Sequence, residues 1–202
     1  DSTWAKLRVG DNIAATKSDG TLWVWGHNAN GSVGDNSNVP RSSPMQIGTN
    51  TNWDADKIAI SNGTAMAIKT DGTLWGWGDG SYGRYKVSWS WSDYKYSSPI
   101  QIGTDTNWSQ IAMGSATSAA IKTDGTLWIW GSNPNGGLGQ NSVTGSSRSS
   151  PTQVGTETTW SNISHFQGGV AATKTDGTMW AWGNNTYGSI GQNNRTDYSS
   201  PV

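Results

Sequence analysis

Cysteine is absent from the 202 residues, which removes disulfide staples, thiolate nucleophiles and cysteine-ligated zinc together and leaves the redox compartment open. Charge is scarce as well: 13% of residues are charged and the formal net charge is −1. Without a basic excess nothing attracts nucleic acid or an anionic membrane generically. Low net charge beside 14 tryptophans also argues against disorder. No apolar run approaches the ~20 residues of a membrane helix, so no membrane insertion is expected, and no charged-then-apolar leader opens the chain. Asp1 stands where an initiator methionine would, as expected of a processed chain or an excerpt. Helix signals are missing too, with 27 glycines and no window of clean 3.6-residue period. What remains is an all-β chain, long enough for one substantial core and expected to form a single domain over residues 1–202.

What is present is a repeat. The stretch Ile121-Lys-Thr-Asp-Gly-Thr-Leu-Trp-Ile-Trp-Gly131 has counterparts from Ala15 to Gly26, Ala67 to Gly78 and Ala172 to Gly183. The aspartate recurs at 19, 71, 124 and 176, a Ser-Ser-Pro ends at Pro44, Pro99, Pro151 and Pro201, and a lone Trp stands at 4, 53, 108 and 160. Asp-Gly between β-prone runs predicts a hairpin with a two-residue type I′ turn. Pairing outward from such a turn sets Ile68 opposite Trp75 and Met66 opposite Trp77, with Lys69 against Leu74 and Ala67 against Gly76 on the other face. Each unit then reads as four strands: a short apolar one such as Lys6–Val9 or Gln110–Met113, the two hairpin strands, and an outer one after the proline, Met45–Ile47 or Thr152–Val154, suited to an edge. Four strands in about fifty residues, four times over, predict β-propeller-type blades of four antiparallel strands. Their bounds are about 1–48, 49–103, 104–155 and 156–202.

Three tryptophans per unit account for twelve. Each can bury up to ~250 Å², which makes them the chief packing residues. Trp89 and Trp91 are left over. Trp128-Ile-Trp-Gly-Ser-Asn-Pro-Asn-Gly-Gly-Leu-Gly139 resembles the signature of the regulator of chromosome condensation repeat, and the runs Trp25–Gly34 and Trp182–Gly191 are similar with Val or Ile for Leu. The resemblance implies a propeller, in that family usually of seven blades. Four blades leave three arrangements open: an excerpt, a head-to-tail assembly, or a closed four-blade ring. The second repeat departs from the signature, continuing Arg84-Tyr-Lys86 after Gly83.

The inventory for chemistry is thin: His27, His165, Glu157 and thirteen aspartates. The four turn aspartates are assigned a conformational role, His27 a solvated loop and His165 a place in packing. No spacing suggests a metal site, and the Asn-rich loops lack the clustered carboxylates of calcium sites. No cofactor is expected, and the chain reads as non-catalytic. Lys17, Lys69, Lys122 and Lys174 precede the four turns. They are read as stems covering the neighbouring Leu or Met with the ammonium in water, the alternative being an anion held by all four.

One stretch is singular. Tyr82 to Tyr96 carries six aromatics and three cations, and Arg84, Tyr85, Lys86, Trp89, Trp91, Tyr94 and Tyr96 are the candidate partner-binding residues. Tyr, Trp and Arg are enriched at binding hot spots, and aromatic rings stack on sugars; the other readings are a local mini-core or a subunit contact. The expectation is a binding propeller engaging a protein or glycan, or other copies of itself, and not nucleic acid. Its setting would be extracellular, at a cell surface or in a phage particle; propellers resembling the family include a secreted protein inhibitor of β-lactamase. The family also implies an alternative, nucleotide exchange on a small GTPase, and a third reading is a purely architectural subunit.

Overall fold

The structure, a computed structural model, describes residues 3–61, 63–83, 95–142 and 147–202. The first sheet has order β1-β2-β3-β4, from β1 (Trp4–Val9), β2 (Asn12–Lys17), β3 (Leu22–Gly26) and β4 (Arg41–Gln46). The second follows the same plan with β5 (Trp53–Ser61), β6 (Thr64–Lys69), β7 (Leu74–Asp79) and β8 (Lys95–Gln101). The third uses β9 (Trp108–Met113), β10 (Thr117–Lys122), β11 (Leu127–Gly131) and β12 (Arg148–Gln153). The fourth has three strands, β13 (Trp160–Phe166), β14 (Gly169–Lys174) and β15 (Met179–Gly183). Its outer side is made by a bridge between Gly183 and Tyr198 and by reciprocal backbone bonds between Ala181 and Val202. All pairings described are antiparallel. These are the blades expected from the repeat, and we number them one to four.

The turn differs from expectation, and the difference moves a whole strand. In blade two the Gly72 amide donates to the Lys69 carbonyl at 2.9 Å, and the Lys69 amide donates to the Thr73 carbonyl at 3.0 Å. Gly72 has φ 79°, whereas Asp71 is not among the positive-φ residues. The loop is therefore Thr70-Asp71-Gly72, a type I turn closed by a left-handed glycine, and not the two-residue type I′ turn. Ala67 consequently faces Trp75 and Ala65 faces Trp77, while Ile68 faces Leu74 and Met66 faces Gly76. A register slip of one residue transposes the faces of a strand. It brings Lys69 onto the tryptophan side, leaving small alanines opposite the indoles and the larger aliphatics on the other face.

The described residues group into two compact units, one of residues 3–61, 63–81 and 95–111, the other of residues 82–83, 112–142 and 147–202. In the first, Leu22, Val24, Val33, Ile47, Trp53, Ile58 and Trp77 form a buried core. In the second, Ile121, Leu127, Ile129, Leu138, Trp160, Ile163 and Trp182 do the same. Within each unit one blade is tied to the next by three bonds of the same kind. In the first unit the Trp53 amide donates to the Gly20 carbonyl (3.2 Å), the Trp77 indole N–H to the Ser32 carbonyl (3.0 Å), and the Asn36 amide to the Ser97 carbonyl (2.6 Å). In the second unit the counterparts are Trp160 to Gly125 (3.1 Å), Trp182 to Gly137 (3.1 Å) and Asn141 to Ser199 (2.7 Å). The lone Trp, the second hairpin Trp and the first Ser of Ser-Ser-Pro thus recur because each is a docking point for the preceding blade.

Candidate functional site

Each turn aspartate starts a short relay. Asp71 Oδ1 accepts from the Thr73 amide (3.0 Å) and from Thr73 Oγ1 (2.6 Å), and Thr73 Oγ1 accepts from Trp75 Nε1 (2.8 Å). Asp19-Thr21-Trp23, Asp124-Thr126-Trp128 and Asp176-Thr178-Trp180 repeat the arrangement. The threonine hydroxyl holds all four carboxyls below the usual aspartate range, the threonine amide adding to its effect. The role is conformational, as expected, but it acts through a side-chain relay.

The lysines lie against indoles, Lys17 half-buried and the other three buried. Lys69 Nζ lies 4.0 Å from the Trp75 ring centroid and 4.9 Å from that of Trp53, and Lys174 sits 3.9 Å from Trp180 and 4.9 Å from Trp160. Lys17 and Lys122 lie 4.1 and 4.0 Å from Trp23 and Trp128. Lys69, Lys122 and Lys174 are buried. Burial lowers the Lys69 pKa from its ordinary value, with the nearby Asp71 carboxylate opposing the shift. Lys174 also pairs with Glu157 at 2.7 Å. The aliphatic-cover reading is corrected on this point: the register change puts each ammonium on indole faces, where it makes cation–π contacts.

After the hairpin an asparagine organises the loop. Asn28 Oδ1 accepts from the Val33 amide at 2.9 Å, Asn133 Oδ1 from Leu138 at 3.0 Å, and Asn185 Oδ1 from Ile190 at 3.0 Å. The amide ends donate to the Ser37 and Val39, Ser142 and Asn194 carbonyls respectively. All three asparagines are buried. Residue typing alone overlooked them as structural, although their constant place three residues after the second tryptophan was a usable signal. Blade two has Gly80 at that place, and Tyr85 where the others have Val33, Leu138 and Ile190.

Of the candidate partner-binding residues, Tyr96 lies on β8 opposite Gly78, half-buried. Arg84, Tyr85, Lys86, Trp89, Trp91 and Tyr94 lie outside the described residues. His27 is exposed in its loop. His165 lies on β13, and its Nδ1 is 3.3 Å from Thr117 Oγ1 while its Nε2 is sealed from solvent without a hydrogen-bond partner. Burial pushes its pKa down to about 4, against the smaller opposing effect of the Gly169 and Ala112 backbone. Among the described residues no group of three or more His, Asp or Glu side chains could hold a metal ion, and no helix is long and apolar enough to cross a membrane.

These blades, with their indole latches, define a propeller-type repeat protein. The comparison with known sequences finds the repeat itself: the regulator of chromosome condensation (RCC1) repeat matches residues 19–68, 55–84 and 108–136, so the chain carries repeats of that kind. It is 33% identical over 119 residues to the RCC1 domain-containing protein RUG3, mitochondrial, of Arabidopsis thaliana, covering 59% of this chain and 26% of that one. Against the Arabidopsis thaliana ultraviolet-B receptor UVR8 it is 25% identical over 198 residues, covering 98% and 45%. The chain thus spans less than half the length of these relatives. Among solved structures, human WBSCR16 superposes with a TM-score of 0.85 at 22% identity, covering all of this chain and 53% of that one. Prp20p of Saccharomyces cerevisiae, studied with Gsp1p and histones, gives 0.85 at 20% identity, covering 100% and 50%. The last two establish a shared fold.

Proposed function

We propose that the chain is a non-catalytic binding module that engages a protein or glycan through the blade-two segment holding Arg84, Tyr85, Lys86, Trp89, Trp91, Tyr94 and Tyr96. One observation carries the reading. In the other three blades the loop after the hairpin is spent on internal structure by Asn28, Asn133 and Asn185, and blade two replaces that asparagine by Gly80 and follows it with aromatic residues. What the blades share builds the body, so the residues that differ are free to be selected for a partner. Prp20p, whose structure was studied with its binding to Gsp1p and histones, makes protein the first choice of ligand. The low charge and the abundance of Thr, Ser and Asn support an extracellular or virion setting within the same proposal. The exchange-factor alternative rests on fold alone.

The test is affinity capture with mass spectrometry, and glycan-array binding, for the wild type and the Trp89→Ala/Trp91→Ala double variant. The proposal expects the wild-type ligands to be lost while the thermal midpoint stays put. A double variant that unfolds would place these tryptophans in a core instead.

A further inference from the structure

We propose that the Lys69 ammonium, boxed by Trp53 and Trp75, is a binding site for a carboxylate brought from outside the chain on a short aliphatic stem. The site is separate from the blade-two segment of Arg84 to Tyr96 and does not rest on it. It follows from a box of side chains that occurs twice in matched geometry, once with a carboxylate and once without.

The filled box is in blade four. Lys174 Nζ lies 3.9 Å from the Trp180 ring centroid and 4.9 Å from that of Trp160, and the two rings are 6.5 Å apart at 77°. The Glu157 carboxylate closes the box 2.7 Å from Nζ, reaching in on a side chain that is itself 52% exposed. The open box is in blade two. Lys69 Nζ lies 4.0 Å from the Trp75 centroid and 4.9 Å from that of Trp53, and those rings are 6.2 Å apart at 76°.

The residue at the place of Glu157 is Asn50, because Val154-Gly-Thr-Glu-Thr-Thr-Trp160 corresponds to Ile47-Gly-Thr-Asn-Thr-Asn-Trp53. Backbone bonds hold the two segments alike. The Ile47 and Val154 amides donate to the Leu22 and Leu127 carbonyls, both at 2.8 Å, and the Asn52 and Thr159 carbonyls accept from the Thr70 and Thr175 amides, both at 2.8 Å. In sequence the same place holds Asp105 in a further repeat, so the neutral residue at position 50 is the departure.

Asn50 leaves a cation without a counter-ion. Lys69 is 6% exposed, and among the described residues its ammonium has neither an ion pair nor a hydrogen bond. Asp71 is near enough to raise its pKa, but Asp71 Oδ1 is taken by Thr73 and Oδ2 by Asn52 Nδ2 at 3.5 Å. The Lys69 nitrogen is not sealed from solvent as the adjacent Trp53 Nε1 is, and Asn50 is exposed, so a ligand has the approach that Glu157 uses in blade four. A charge withdrawn from water stays costly until it is paired, and indole faces return only part of that cost. A carboxylate supplies the missing charge-assisted hydrogen bond, and its methylenes take the place of the Glu157 stem. Phosphate fits less well, since one ammonium offers too few donors for its oxygens.

The test is lysine-selective NMR of the 202-residue chain titrated with propionate, the stem and carboxylate of a glutamate, at constant ionic strength with chloride as the reference. Lys69→Met assigns the Lys69 signal. Propionate should move that signal saturably, with a dissociation constant on the order of millimolar, and chloride should not. Asn50→Glu supplies the carboxylate from within, so it should set the signal at its propionate-bound position and weaken the response about tenfold or more, the equivalent of one charge-assisted hydrogen bond. Glu157→Asn should open the blade-four box and make the Lys174 signal respond. Positions 50 and 157 are both exposed, so unfolding midpoints should stay near that of the wild type. A blocked glutamate peptide that binds more tightly than propionate would assign the carboxylate to a partner protein's side chain, and the reverse order to a free acid. A Lys69 signal that chloride moves as far as propionate does, or a response that survives Asn50→Glu undiminished, would overturn the proposal.

Discussion

The Lys69 ammonium lies 4.0 Å from the centroid of the Trp75 ring, and this one contact explains a lysine that the repeat places beside every turn. Burial costs the charge hydration, as the lowered Lys69 pKa records, and the indole faces return part of it, about 1–2 kcal/mol for a desolvated cation–π pair. The two effects oppose each other. Lys69→Met keeps the stem and drops the charge, so we expect stability within about 1 kcal/mol of wild type. Lys69→Ala bares two indoles and should cost about 2–3 kcal/mol. Denaturant unfolding of the pair decides, and a methionine variant worse than the alanine one would reject this account.

Trp53 and Trp77 share a core but differ in what their N–H groups do. Trp77 Nε1 donates to the Ser32 carbonyl, while Trp53 Nε1 is buried without a partner. Phenylalanine removes similar volume at both places. Trp77→Phe additionally leaves a buried carbonyl short, so it should be the more destabilising by about 1–3 kcal/mol. Parallel unfolding curves would show it.

The turn glycines give a contrast between sites of identical local sequence. An added Cβ at Gly125 would lie 2.0 Å from the Thr158 carbonyl oxygen, whereas at Gly177 it would meet nothing within 4 Å. Both have positive φ, 78° and 85°, so alanine carries a strain of about 1 kcal/mol at either. We expect Gly177→Ala to cost little more than that and Gly125→Ala to cost about 3 kcal/mol or beyond, since backbone must move. Thermal unfolding of the two variants measures the gap.

Acid should act in two windows. His165 has a folded pKa of about 4 against an ordinary 6.5, so the unfolded chain binds the proton first. Its contribution is complete above pH 6.5 and is lost as pH falls towards 4, on the order of 2 kcal/mol in all. The turn aspartates, held low by their threonines, favour the fold above their ordinary 3.8 and lose that advantage below it. His165→Gln should therefore flatten the stability profile between pH 4 and 6.5 and leave the more acidic limb unchanged. A profile identical to wild type between pH 4 and 6.5 would contradict the burial of this imidazole.

The period, the strand alternation and the scaffold role of the tryptophans were legible because the chain states them four times. The register was not. Asp-Gly serves both a two-residue turn and a three-residue loop, and the choice depends on whether Thr70 joins the strand or the loop, which a single hairpin's sequence leaves undecided. Lys69 was misplaced by that one slip, since a shift of one residue carries a side chain to the opposite face. Asn133 was visible in the signature, but its work is done across nine residues of loop, on the Ser142 carbonyl, a distance that no local pattern encodes. For the proposed partner-binding residues the sequence remains the main guide, with only Tyr96 placed in a described strand.

The Trp77-to-Ser32 latch has a consequence for how such a chain could have lengthened. Blades one and three each offer a carbonyl to the indole of the blade that follows, so a duplicated unit inserted at such a junction finds both of its neighbours already compatible. Insertion of a partial unit would strand an indole or a carbonyl at the seam. Gene duplication acting on this protein should therefore favour whole repeats, with variation tolerated in the stretch of each unit that no neighbour holds.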